Sequence, residues 1–211
     1  MMIGLTNLMT SPVRNHVVIS RPNGRLPGVR SFVAGFLPRK TVLYEERFRA
    51  HALGLVSAGE GVFESESRPP RRVSPPFYFA VQPGEWARYG PGEGRPWTER
   101  YLVLAGDRVE AWSRAGWLPP HGEPLALGPA AAETAGGIHA RLMERLEAGT
   151  PRDTDRAWLY AEEMLHGLFY SRESESAVGS LDERIREQAA AWESDPPTDA
   201  DLPSLAREAG A

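Results

Sequence analysis

The 211-residue sequence contains no cysteine, so disulfides and thiolate catalysis are excluded, and the composition suits a reducing, cytoplasmic setting. Lysine is almost as scarce. Lys40 is the only one among 24 basic residues, a bias that genome composition accounts for. No apolar run is long enough to span a bilayer, and the opening "MMIGLTNLMTSPVRN" does not have the layout of a secretory signal. A basic stripe is lacking as well. The net charge is -4, and residues 181–211 hold eight acidic residues and three arginines, a net of -5 that leaves +1 for the other 180. Neither part offers the cationic surface that a phosphate backbone demands, so tight DNA binding by this chain alone is not expected.

What is present reads as a soluble globular chain, 41% hydrophobic and 25% charged. Residues 1–30, interrupted by Pro12, Pro22, Gly24, Pro27 and Gly28, read as an irregular arm. Residues 31–104 carry short β-branched or aromatic runs: "FVAGFL", "TVLYEERF", "HALGLVSA", "GVFESES", "FYFAVQ" and "ERYLVLAG". Glycine and proline clusters such as "AGEG", "RPP", "SPP" and "GPGEGRP" separate them, which predicts a mainly β domain, a sandwich or small barrel. After Asp107 the period changes. "DRVEAWSRAGWL" fits a short helix and "PPHGEPLALGP" a loop. Ile138, Leu142 and Leu146 recur every four residues until Gly149 stops them. Thr150, Pro151 and Asp153 then supply a cap, a first-turn proline and an acid for a second helix over 152–171. Trp158, Ala161, Leu165 and Phe169 form one apolar stripe along it. Residues 138–171 are therefore predicted to be an antiparallel helical pair, and "SRESESAVGS" a linker.

The stretch "LDERIREQAAAWESDPPTDADLPSLAREAGA" resembles the opening of the DNA-binding domain of AraC-family transcription regulators. Ile185, Ala189 and Trp192 fall on its first helix, and Leu202, Leu205, Ala206, Ala209 and Gly210 match a second helix of the form Leu-x-x-Leu-Ala-x-x-Ala-Gly. In that family the next residues begin the recognition helix, which enters the major groove. "LPGVRSFVAGFLP", "VSAGEG", "QPGEWARYGP" and "RPWTERYLVLAG" look like segments of the family's cupin-like sensor barrel. "IHARLMERLEAGTPRDTDRAWLYAEEMLHGLFYSRES" resembles the two helices after it, the second of which makes the dimer contact in the arabinose-responsive member. The resemblance implies an N-terminal arm (1–30), a cupin-like jelly-roll barrel (31–118), a helical dimerisation segment (119–171), a linker (172–180) and the truncated start of a helix-turn-helix domain (181–211). It further implies a cytoplasmic homodimer without cofactor, controlled by a small-molecule effector. Such a protein reaches DNA only through its C-terminal domain and does not engage membranes; RNA polymerase is a further partner of the full-length regulator.

The same resemblance places candidate ligand contacts. Tyr89 falls on a sugar-contacting tyrosine, and Glu99 and Tyr101 fall on a histidine and a stacking tryptophan. Ala58 falls on an arginine and Leu37 on a contacting threonine. A methyl group cannot replace a bidentate guanidinium, so arabinose itself is not the expected ligand. Strand alternation turns Trp97 and Val103 to the same side as Glu99 and Tyr101, and Ala52, Gly54 and Val56 to the same side as Ala58; Glu85 and Ala87 go with Tyr89. The small residues would leave volume for a ligand. Aromatic faces with a carboxylate suit a sugar or other hydroxylated molecule, although aromatics inside a small barrel also simply fill the core. His51 lies on the opposite face from Ala52 and is expected at a surface or interface. A metal cupin needs a histidine pair one residue apart plus a glutamate and a distant histidine, and the five histidines do not provide it. Three functions follow: an effector-sensing dimerisation domain, favoured; a ligandless cupin dimerisation module; and, least supported, a metal-dependent cupin enzyme. The stripe Trp158, Ala161, Leu165 and Phe169 can meet a second subunit or pack onto the barrel.

Overall fold

Ten short strands and three helices make up the described part of the chain, which in this computed structural model comprises residues 16–20, 24–119 and 122–171. The chain divides between Ser171 and Arg172, so the predicted linker and helix-turn-helix start, residues 172–211, lie outside the described residues, as do 1–15 and 21–23 of the arm. The strands are β1 His16–Ser20, β2 Ser31–Lys40, β3 Tyr44–Arg47, β4 His51–Ala58, β5 Gly61–Ser65, β6 Arg68–Val73, β7 Phe77–Val81, β8 Trp86–Pro91, β9 Trp97–Ala105 and β10 Leu125–Ala126. They form two antiparallel sheets, a six-stranded one in the order β1-β2-β9-β4-β7-β10 and a four-stranded one in the order β3-β8-β5-β6. The helices are α1 Asp107–Arg114, α2 Pro129–Ala148 and α3, residues 151–171. The architecture is a two-sheet β-sandwich with helices on one face.

Alternation along the strands explains the layering. In β7 all five residues are buried, which a strand covered on both faces requires. Phe77, Phe79 and Val81 enter the core between the sheets, while Tyr78 and Ala80 enter a second core beneath the helices. In β4 and β9, Ala52, Val56 and Trp97 join the first core, and Leu53, Leu55, Leu102 and Leu104 the second. The outer face of the four-stranded sheet is polar instead. There Arg88 lies 3.7 Å from both Glu45 and Glu64.

Three strands depart from the sequence reading. Part of the supposedly irregular arm, His16–Ser20, pairs with Phe32–Phe36 at the edge of the larger sheet. Arg68–Val73 includes the "RPP" read as a separator, and it forms an edge strand, where proline's absent donor costs no ladder bond. The two-residue β10 lies within the segment read as a loop.

Helix α2 begins nine residues before Ile138, on Pro129 at its first turn, and ends at Gly149 with φ 68°, the left-handed conformation of a C-cap. Thr150 caps α3 as predicted: its hydroxyl accepts the Asp153 N–H at 3.2 Å and donates to the Asp153 carboxylate at 2.6 Å. The α3 stripe does not wait for a partner subunit. Trp158, Ala161 and Leu165 are 0–1% exposed in the core beneath the helices, and Phe169 is half-buried. Trp158 meets Phe32 at 4.9 Å and Trp112 at 5.9 Å between ring centroids. Trp158, Ala161 and Leu165 thus cover the apolar outer face of the large sheet, a use that competes with their expected placement at a dimer interface. The expectation of His51 at a surface or interface is corrected. It is buried, its Nε2 3.1 Å from Glu110 of α1. The arm's described end is anchored too, because Asp155 of α3 accepts the backbone N–H groups of Arg25 and Leu26 at 2.8 and 2.9 Å. Among the described residues no helix is long and apolar enough to cross a membrane.

Candidate ligand site between the sheets

Strand β9 supplies the spine of the candidate site. Trp97 and Glu99 point between the sheets and are 0% and 1% exposed. Tyr101 follows one pleat further on, half-buried. Tyr89 comes from β8 in the opposite sheet, and its ring lies against Phe79 at 4.6 Å and, stacked, against Trp97 at 6.4 Å. Of the residues expected to contact a ligand, Tyr89, Trp97, Glu99 and Tyr101 thus share one interior.

The remaining expectations fare differently. Leu37 is buried and sits opposite Glu99 in the β2–β9 register, where it adds an apolar wall. Ala58 is exposed: the ladder between β4 and β9 shifts register between Val56 and Ala58, so alternation from Val56 no longer carries Ala58 inward. The small residues do not leave a void either. A side chain added at Gly54 would overlap the Phe79 ring, and one added at Gly35 would overlap the Tyr101 ring. Glycine here makes room for aromatic rings arriving from neighbouring strands. Glu85 stays in the turn before β8, accepting the Gln82 N–H at 3.3 Å.

One central residue escaped the sequence reading. Lys40, the sole lysine, ends β2 with its side chain 4% exposed and donates to Glu99 Oε2 at 2.7 Å. The same oxygen accepts the Trp97 indole N–H at 3.2 Å. The ammonium stands 4.1 Å from the Tyr89 ring centroid, 5.3 Å from that of Trp97 and 5.7 Å from that of Tyr44. Strict alternation would turn Lys40 outward with Phe32 and Ala34. A register irregularity between Leu37 and Lys40 turns it inward, and no sequence period announces that. The available signal was compositional, a lone lysine in an arginine-rich chain.

Electrostatics in this interior follow from burial. Desolvation pulls the Lys40 ammonium below its ordinary pKa, against the opposing pull of Glu99. Burial, with Glu99 nearby, pushes the hydroxyls of Tyr89 and Tyr101 upward, and burial with a hydrogen bond to Glu46 does so for Tyr44. The tyrosines therefore remain neutral hydroxyls. Chemically the box offers one carboxylate, one ammonium, hydroxyls and flat rings.

Below the same strand, His139 of α2 is buried with its Nε2 3.3 Å from the Tyr101 carbonyl, and burial lowers its pKa to about 4. Among the described residues no three His, Asp or Glu side chains gather as a metal site. A separate open cleft of about 810 Å³ lies at the α2–α3 turn, lined by Arg145, Arg152, Arg156, Asp153, Asp155 and Tyr160 among others. Its arginines are exposed, Arg145 pairs with Asp153 at 3.4 Å, and Asp155 is occupied by the arm. The polar, desolvated chemistry is in the sandwich.

A family model described as AraC-like ligand binding domain matches residues 43–161, more than half of the chain. Among solved structures, the chain is similar to a cupin-like protein from Thermotoga maritima, with 10% identity and TM-score 0.34, covering 42% of this chain and 65% of that one. It thus spans slightly under two thirds of that protein's length. It is similar also to a cupin superfamily protein from Desulfitobacterium hafniense, with 15% identity and TM-score 0.31, covering 44% of this chain and 79% of that one. A third is an RmlC-like cupin family protein with a double-stranded β-helix fold from Methanocaldococcus jannaschii, with 13% identity and TM-score 0.32, covering 48% and 90%. No curated protein sequence matches the chain.

Proposed function

The chain belongs to the family of AraC-like ligand binding domains, and from that premise we propose that it is the effector-sensing part of a bacterial AraC-family transcription regulator. The effector in this reading is a small hydroxylated molecule held between the sheets. Its apolar face lies on the rings of Tyr89 and Trp97, and its polar groups meet Glu99 and the tyrosine hydroxyls. The role is binding and not catalysis, since the one interior carboxylate is engaged by Lys40 and Trp97.

The observation that carries this reading is the buried Lys40–Glu99 pair inside aromatic walls. A pair of this kind is a poor way to hold a core together. Well-packed apolar replacements of buried ion pairs are often neutral, or more stable by about 1–4 kcal/mol. Polar groups kept in such a place suit recognition better than support.

Control of transcription then follows from unequal effector affinity for two states of the protein. One contact leads outward from the box, where His139 ties the backbone of β9 at Tyr101 to α2. Within the helical layer, Asp155 ties residues 25 and 26 of the arm to α3. In this proposal those contacts carry the effector's influence to a homodimer and to the DNA-binding part of the regulator. Homodimerisation uses surfaces other than the buried α3 stripe, and RNA polymerase is a partner of the whole regulator.

One observation favours a second reading, a ligandless module for dimerisation: rings occupy the interior over Gly35 and Gly54. A thermal-shift screen of sugars, polyols and their amino derivatives separates the two. A ligand at 100 times its Kd stabilises by about 2.7 kcal/mol, which raises the melting temperature by several degrees. The sensing reading expects such a shift for the wild type and its loss in Glu99→Gln. No shift across the screen leaves the ligandless module.

A further inference from the structure

The box already has an occupant, and it is Lys40. Cations are attracted to the faces of aromatic rings through the ring quadrupole, and a carboxylate at one end completes an enclosure suited to an organic ammonium. Tyr89, Trp97 and Tyr44 provide the faces, at 4.1, 5.3 and 5.7 Å from Nζ, and Glu99 closes the end at 2.7 Å. The cation inside arrives on a strand end. Lys40 is the last residue of β2, turned inward by the register irregularity, and three residues, Thr41, Val42 and Leu43, link it to β3 in the other sheet. Val42 and Leu43 of that link are 48% and 42% exposed.

We propose that Lys40 is a tethered stand-in for the effector: the site takes an amine-bearing small molecule, whose ammonium replaces that of Lys40 on Glu99 and the rings. The released end of β2, with the Thr41–Leu43 link, is the element that changes state. This rests on reading the sandwich interior as the effector site, and it specifies the effector's charge. A neutral molecule that displaced Lys40 would strand Glu99 without a countercharge in a desolvated interior. An anion could answer Lys40 only by confronting Glu99 at the same place. A neutral guest beside the intact pair must compete with the rings of Phe79 and Tyr101 for space. An ammonium in exchange for an ammonium keeps the box neutral and its volume filled, while Lys40 regains water. Amino sugars and amino alcohols combine this charge with the hydroxyls that the tyrosines can bond.

The test uses the full chain, with n-butylammonium as a mimic of the lysine side chain and n-butanol as its neutral counterpart. Lys40→Ala opens the box, and Lys40→Val, whose short branched side chain suits a strand and vacates the outer stem, does so with folding more secure. Both variants are expected to melt below wild type and to recover with n-butylammonium but not n-butanol. The variants should bind the amine roughly tenfold or more tightly than wild type does, because a tethered competitor has been removed. Lys40→Val/Glu99→Gln should fold and ignore the amine. Equal effects of amine and alcohol, or no rescue of either single variant, overturn the inference. A wild-type comparison of glucosamine with glucose separates the two levels. If glucose shifts the melting temperature and glucosamine does not, the effector site stands and the tethered-amine inference falls. If neither sugar shifts wild type and neither single variant answers the amine, both fall.

Discussion

At Gly54 and Gly35 the lack of a side chain lets the sandwich close, with the Phe79 ring lying over one and the Tyr101 ring over the other. Gly54→Ala forces a rigid ring aside in a packed interior, and overpacking of that kind costs about 1–3 kcal/mol. Urea denaturation should show a lower midpoint with an unchanged slope. Gly137→Ala is the matched control. Nothing lies within 4 Å of a side-chain carbon added there, and an alanine in a helix interior gains about 0.5–1 kcal/mol over glycine, so its midpoint should rise. The inward direction of Gly54 was legible from alternation along "HALGLVSA". What crosses over it was not, because strand period fixes a residue's face and says nothing of what the partner strand sends across. Tyr89 and Glu99 were placed by the resemblance and Trp97 by alternation from Glu99, whereas Lys40 sits past an irregularity that breaks the period and was hidden from both.

Helix α3 shows which elements a sequence announces. Its start is a local event among Thr150, Pro151 and Asp153, and it was readable from those residues alone. Its apolar stripe was equally readable, but the surface it covers is a matter of tertiary structure. Leu165→Ala decides between the two uses of that stripe. With Leu165 fully buried in the chain's own core, the substitution should cost about 3 kcal/mol in urea and leave the sedimentation coefficient unchanged. Dissociation of a dimer with little loss of stability would restore the stripe to an interface. The edge strands β1 and β6 were not readable because their conformation is decided by the neighbour they pair with. Arg68–Val73 has two prolines and no apolar alternation, and only pairing with β5 makes it a strand. The first half of α2 was missed for a related reason. "PAAAETAGG" has small residues instead of a leucine period, yet Ala132, Ala135 and Gly136 are buried, and the two alanines join the core beneath the helices.

Across the whole molecule, the helical layer and the β9 spine of the candidate site are joined at His139, and that joint depends on pH. Burial disfavours the charged imidazole, so its pKa falls from 6.5 to about 4; the nearby Arg100 lowers it further and the bond to the Tyr101 carbonyl opposes the fall. Between those values the unfolded chain binds a proton that the folded chain does not. Stability from this group is therefore fully present above pH 6.5, declines as pH drops toward 4, and changes no further below that. A gap of this size corresponds to about 3 kcal/mol. Exposed carboxylates held by arginines, such as Glu66 beside Arg47, lose their contribution at lower pH, so they do not account for a loss in the upper part of the window. His139→Gln keeps a donor for the Tyr101 carbonyl and removes the titration. Urea denaturation at pH 7 and pH 5 should show a marked loss for wild type and a much flatter response for the variant. An equal slope in both proteins would place the acid sensitivity elsewhere and detach α2 from the proposed route out of the site. A flattened slope makes the backbone of Tyr101 a shared support, one that any movement of β9 on effector binding must carry into the helices.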